Sequence, residues 1–97
     1  MNKKQQIREN FRNDVFERDG HKCVFCDETK DLDAHHITDR HEMPNGGYVK
    51  ENGITLCPIH HFKAETWSDK GAFSSSHLYS KINSSYKLAY EKSMELE

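Results

Sequence analysis

Apolar residues in this chain fall into short, separated clusters with two different periods. Ile7, Phe11 and Val15 recur at i, i+4 and i+8, with Arg8, Arg12 and Asp19 off the stripe, which predicts an amphipathic helix over residues 5–19. Gly20 follows and ends it, because glycine just past a helix takes a left-handed conformation easily. Leu32-Asp33-Ala34-His35-His36-Ile37 alternates like a short strand, with Leu32, Ala34 and His36 on one side. A second strand, Ile54-Thr55-Leu56, follows an Asn52-Gly53 turn. Between the strands, residues 38–51 gather Pro44, Asn45, Gly46 and Gly47 into a long loop, and long loops in small domains are usually functional. Met43 and Tyr48 are expected to pack it. Pro58 suits the first turn of a helix running from Ile59 to about Trp67. Residues 71–76 read as a linker. Leu78, Ile82, Tyr86 and Tyr90 then form another i, i+4 stripe, predicting a C-terminal helix over about 77–95. Trp67, Phe73 and Tyr79 are assigned to the core.

Composition adds a constraint on stability. A chain of 97 residues that is 34% hydrophobic, with a mean hydropathy of -0.98, forms one small domain (1–97) that needs a staple besides burial. Its core is expected at about 11–67, with the helical extension after it. Three cysteines cannot all pair, and the polar start, Met1-Asn2-Lys3-Lys4-Gln5-Gln6, has no apolar leader. Metal ligation in a reducing, cytoplasmic compartment fits these cysteines better than disulfides do. No stretch approaches the roughly 20 apolar residues of a membrane span. The net charge of -2 argues against a broad nucleic-acid surface, yet Lys3, Lys4, Arg8 and Arg12 make one end basic while the far end is acidic.

The cysteines have the spacing of a closed zinc site. Cys23-x-x-Cys26 and Cys57-x-x-His60 are two knuckles with thirty intervening residues, and together they supply the Cys₃His set that tetrahedral zinc accepts. They use every cysteine in the chain. The expected ion is structural, with no open position for chemistry.

His35-His36, Asn52 and His61 remain unexplained by that site. Here the chain resembles the HNH endonuclease family: His35-His36-Ile37, then Asn52 in Asn52-Gly53-Ile54-Thr55-Leu56-Cys57, then His61 directly after the last zinc ligand. Phe16-Glu17-Arg18-Asp19-Gly20-His21-Lys22-Cys23 is similar to the family's lead-in to its first cysteine pair. The match covers about residues 11–65, and Asn52 stands nine positions before His61, as in the zinc-knuckle branch. One departure is His60, where that branch commonly has cysteine. The spacing from Asn52 and from Cys57 favours His60 for zinc and leaves His61 for the second site.

The resemblance implies an α+β fold: a small ββα-metal core stapled by zinc, with flanking N- and C-terminal helices. It implies His36 as general base, which an imidazole with an ordinary pKa near 6.5 can be at neutral pH. His35 and His61 would hold one catalytic divalent cation, Mg²⁺ first and Mn²⁺ or another ion as alternatives, acting as Lewis acid on phosphate and leaving group. Asn52 would bridge backbone groups across the loop and keep His36 in line. Asp33, two residues before His35, is placed to orient its imidazole. Glu65, four residues after His61, is either a third ligand or, more simply, a solvated carboxylate.

The expected activity is therefore metal-dependent hydrolysis of DNA, as endonuclease or nickase, with duplex DNA the first-choice partner and no membrane partner. The setting would be a bacterial or phage cell, and the chain a monomer or a dimer. A non-catalytic zinc module that binds nucleic acid or protein is the alternative from another class, and an RNA-directed nuclease the alternative within the fold. Loop 38–51, with Arg40 and His41, and the N-terminal helix are the expected regions of DNA contact.

Overall fold

The computed structural model describes residues 2–67 and 71–96; Met1 and Glu97, the outermost residues of the polar start and the acidic end, lie outside the described residues. Among the described residues the elements run α1 (Lys3–Arg18), β1 (Asp33–His36), β2 (Gly53–Leu56), α2 (Pro58–Thr66), α3 (Ser75–Lys81) and α4 (Tyr86–Met94). Short 3₁₀ turns occupy Arg40–Glu42, Pro44–Gly47, Lys50–Asn52 and Gly71–Phe73. The architecture is α+β, with four helices around one two-stranded antiparallel sheet. None of the described helices is long and apolar enough to cross a membrane.

α1 begins earlier than its apolar stripe because Asn2 caps it. The Asn2 side chain accepts from the Gln5 N–H at 2.8 Å, and the Gln5 side chain accepts from the Asn2 N–H at 3.1 Å, a reciprocal capping box. Phe11 and Val15 are buried as the stripe requires, and Ile7 is half-buried. The helix ends where Gly20 and His21 both take positive φ. Its last residues then fasten it to the sheet. Arg18 holds Asp19 through two 2.7 Å contacts and donates to the carbonyls of Lys50 and Gly53. Asp19 Oδ2 in turn accepts from the Thr55 N–H at 3.0 Å. The lead-in segment thus has a structural job, docking α1 on β2.

The sheet register pairs Asp33 with Leu56, Ala34 with Thr55, His35 with Ile54 and His36 with Gly53. β2 is buried along its whole length, so its residues are apolar or hydrogen-bonded on both faces. On one face Thr55 Oγ1 donates to the Val15 carbonyl of α1. Ile54 and Leu56 join the main core with Ile37, Met43, Ala64, Leu78, Tyr79 and Ala89.

The C-terminal region departs from the expectation of one helix over 77–95. Asn83 takes a left-handed φ of 55°, the Ser84 hydroxyl donates to the Glu51 carbonyl, and Ser85 caps a new helix by accepting from the Leu88 N–H. The chain therefore turns between α3 and α4. The stripe splits accordingly: Leu78 is buried and Ile82 half-buried, but Tyr86 is 51% and Tyr90 40% exposed, while Ala89 and Ser93 face inward. The 71–76 linker is also structured, with a 3₁₀ turn followed by Ser74 as the cap of α3. Trp67, assigned to the core, is 51% exposed and meets Phe73 edge-on, whereas Tyr79 is buried. Met43 is buried and Tyr48 half-buried, as their packing role requires.

Candidate functional site

The four expected zinc ligands come together. Cys23 and Cys26 lie in the turn after α1, Cys57 ends β2, and His60 sits in the first turn of α2, which Pro58 can open because its missing N–H has no helical partner to lose. Cys57 Sγ lies 3.2 Å and Cys23 Sγ 3.7 Å from His60 Nδ1, and Cys26 Sγ lies 3.7 Å from Cys57 Sγ. All four donor atoms fall within 4.8 Å of one another, the only such set of three or more Cys, His, Asp or Glu among the described residues. Tetrahedral zinc with 2.0–2.3 Å bonds places its ligand atoms about 3.3–3.8 Å apart, so the set fits that ion. Burial opposes ionisation of Cys57, but hydrogen bonds from the His60 backbone and ring and from the other two thiols outweigh it and draw the thiol down to about 6. Cys26 goes the other way: the Glu28 backbone favours its thiolate, but burial and the neighbouring thiols raise it to about 11. Phe25 stacks on the His60 ring at 5.2 Å, and Phe73 lies beyond, fixing the plane of the one imidazole in the set.

His61, the next residue, points elsewhere. Its ring meets that of His35 at 5.1 Å between centroids, joining α2 to β1 at a polar cleft of about 920 Å³. Asp33 was expected to orient His35, but its Oδ2 lies 3.0 Å from Nδ1 of His61 instead. That contact leaves the His61 Nε2 facing Glu65, whose Oε1 is 3.7 Å away one helical turn on. A carboxylate on one ring nitrogen with the other left open is the usual preparation of a metal-binding imidazole. Burial, helped by His61 and His36 and opposed by Asp33, lowers His35 to about 4, so its ring is neutral across the physiological range.

His36 packs on the other side of β1, as strand alternation requires, while its ring still reaches the lining of the cleft. Phe11 of α1 stacks on it at 4.5 Å with planes 24° apart, and Tyr48 stands edge-on at 4.7 Å. Phe11 can approach only because the strand partner of His36 is Gly53: a Cβ there would lie 2.7 Å from the Phe11 ring and 2.6 Å from Val15. The ring is held below its ordinary pKa by burial, Asp39 opposing and Arg40 adding to the effect. Its Nε2 is buried and has no hydrogen-bond partner among the described residues. Buried polar atoms are rarely left so, and the cost is about 1–3 kcal/mol.

Asn52 is fully buried and its side chain makes four hydrogen bonds. Its Nδ2 donates to the carbonyls of Thr38 (3.0 Å) and Gly47 (3.2 Å), and its Oδ1 accepts from the Thr38 N–H (3.0 Å) and the Tyr79 hydroxyl (2.7 Å). It thereby joins the exit of β1 to the far end of the loop. Gly47, with φ of 65°, is the one residue able to pass here, since a Cβ would sit 2.7 Å from the Asn52 amide. The expected turn at Asn52-Gly53 is the junction of a 3₁₀ turn with β2.

Several contributors were not identified from the sequence. Tyr79 was assigned to the core for its ring, yet its hydroxyl also bonds Thr38 Oγ1 at 2.6 Å. Phe11 reads as a stripe residue in α1, and nothing local marks it as the platform of an imidazole. The cleft lies between the loop and the C-terminal helices. Its loop side draws on Asp39, Arg40 and Glu42, and its other wall comes from α3 and α4; no residue of α1 lines it. His41 is exposed and lies outside this lining.

Comparison with protein-family models, with curated proteins and with solved structures gives no significant match.

Proposed function

We propose that this chain is a metal-dependent nuclease of the HNH type that hydrolyses phosphodiester bonds in DNA. The observation that carries this reading is the division of labour along β1. His35 is neutral and beside His61, on which Asp33 has taken one nitrogen, while its neighbour His36 is clamped apart from them with an unpaired Nε2. A pure binding module has no use for two differently prepared imidazoles side by side.

In this reading His36, which lines the cleft, takes the proton from the attacking water at Nδ1, since its Nε2 is buried away from solvent. Phe11 and Tyr48 fix its plane, so proton transfer needs no reorientation. Asn52 keeps the residues after β1 and the turn at Gly47 at a fixed separation, which holds the cleft's shape around His36. His35 and His61, with Glu65 within reach, would hold a divalent cation, Mg²⁺ or Mn²⁺, which when bound supplies Lewis-acid stabilisation of the phosphoryl and leaving oxygens. The zinc at Cys23, Cys26, Cys57 and His60 takes no part in the reaction and keeps β2 and α2 in register.

The test is cleavage of supercoiled plasmid with Mg²⁺ or Mn²⁺, with EDTA as control, by the wild-type chain and by His36→Ala. Cation-dependent nicking or linearisation that His36→Ala abolishes is the expected result. Cleavage unchanged by that substitution would remove the general-base assignment, and binding without cleavage would favour the non-catalytic zinc module. RNA of the same sequence tests the RNA-directed alternative.

A further inference from the structure

The cleft that begins at the histidines continues onto a wall made by the C-terminal helices, and three observations bear on what that wall receives. The first is aromatic. Tyr86 lines the cleft and Tyr90 follows it by one turn of α4, their ring centroids 6.0 Å apart. Both rings are largely outside the core. α4 is anchored without them, by buried Ala89 and Ser93 and by the Asn45 side chain donating to the carbonyls of Ser93 and Leu96. The apolar stripe in the sequence therefore turns half of its aromatic surface outward, beside the proposed reaction site.

The second observation is the use of hydroxyls. Ser80, Ser84 and Ser85 spend theirs on the backbone of their own turns or of the loop. Ser75 and Ser76, which line the same cleft, make no side-chain hydrogen bond among the described residues. They are exposed and able to donate to a phosphate or sugar oxygen.

The third is charge. Asp33, Asp39, Glu42 and Glu65 line the cleft against Arg40, and no lysine does. A duplex brings one phosphate charge per about 1.7 Å of axis and is held chiefly by cationic side chains. A wall without them, facing carboxylates, gives a second phosphate backbone nothing to pair with. One unpaired strand brings half that charge density and offers neutral base faces, which tyrosine rings accept without regard to sequence.

We propose that this C-terminal wall is a docking track for a single unpaired nucleic-acid strand, with Tyr86 and Tyr90 as successive stacking steps and Ser75 and Ser76 on the backbone, leading one phosphodiester to His36. It deepens the nuclease reading and rests on it, and it narrows the expected duplex partner to an unpaired strand or the unpaired segment of a larger DNA.

Binding is measured separately from cleavage. The zinc-loaded full chain carrying His36→Ala, in Mg²⁺, is titrated into a short fluorescein-labelled DNA strand, the same strand annealed to its complement, and the RNA of that sequence, with anisotropy as readout. The strand is expected to bind more tightly than the duplex. Tyr86→Ala and Tyr90→Ala should each weaken strand binding by roughly 5- to 150-fold, while Tyr86→Phe keeps it, since stacking needs the ring and not the hydroxyl. RNA bound with the same tyrosine dependence supports the track and extends it to either sugar. Equal or tighter duplex binding, or alanine variants that bind the strand as well as the parent, overturns it. Tyrosine-dependent strand binding by a wild-type chain that never cleaves would overturn the nuclease reading instead and leave the track standing.

Discussion

The Tyr79 hydroxyl donates to Asn52 Oδ1 at 2.7 Å, so a helix beyond the motif-bearing core completes the hydrogen-bond set of a residue inside it. The same oxygen meets Thr38 Oγ1 at 2.6 Å, and burial raises the phenol above its ordinary pKa, with Thr38 opposing. It stays a neutral donor at any working pH. Tyr79→Phe removes only that oxygen and leaves Asn52 Oδ1 with the Thr38 N–H alone. Urea denaturation should show a loss of about 1–3 kcal/mol, and plasmid cleavage should slow by about 10-fold with zinc content unchanged. A variant that loses stability but cleaves at the wild-type rate would confine the hydroxyl to packing.

Neighbouring histidines should fail in different ways. His60→Ala removes a ligand of the Cys₃His set, and metal analysis should find less than one zinc per chain together with a collapsed far-ultraviolet spectrum. His61→Ala leaves that set intact, so the protein should fold, keep its zinc and lose cleavage. If both variants unfold alike, the assignment of the two imidazoles to separate sites is wrong.

Gly53→Ala tests the platform under His36. The added methyl would collide with Phe11 and Val15 at 2.6–2.7 Å, and overpacking of this kind costs about 1–3 kcal/mol. The helix has to shift, taking Phe11 off the imidazole. Cleavage should fall more than stability predicts, and Phe11→Ala, which removes the Phe11 part of the collision but not that with Val15, should recover part of the stability in the double variant without restoring the rate.

The acid limb of cleavage carries a sign. A general base works when neutral, and burial holds His36 below its ordinary value of about 6.5. A depressed pKa extends the neutral range downward, and a cation bound beside the ring acts in the same direction. The kcat/KM profile should therefore stay level as pH falls through about 6.5 and decline only below it, with zinc content followed in parallel. An acid limb centred above 6.5 would mean that His36 is not the group being titrated.

How much of this was legible in the sequence differs from element to element. The Cys₃His cluster was, because a closed metal site fixes ligand type and spacing at once, and Cys23, Cys26, Cys57 and His60 come together as that spacing requires. α1, both strands and α2 were, to within a few residues, because each carries a period or a breaker of its own. The C-terminal half was not. Leu78, Ile82, Tyr86 and Tyr90 have the period of one helix, yet hydroxyls at Ser84 and Ser85 and a left-handed Asn83 turn the chain there, and such side-chain-to-backbone bonds leave no periodic trace. The partner of Asp33 was missed for a related reason. Strand neighbours can be counted from sequence, but the reach of a carboxylate across to α2 depends on how that helix packs against β1.

The residues of the Cys₃His set lie in pairs on either side of the sheet and its loop, two before β1 and two at the end of β2 and start of α2. With a metal ion bound they would close a ring of chain, and everything between them would be tethered at both ends by the ion as well as by strand pairing. A consequence is tolerance of a broken backbone. A protease cut in the exposed Arg40–Glu42 turn should yield two fragments that migrate as one particle and part only when a chelator is added. The same domain could then be made as two separate polypeptides, each bringing one pair of ligands and one strand, that assemble when zinc is supplied.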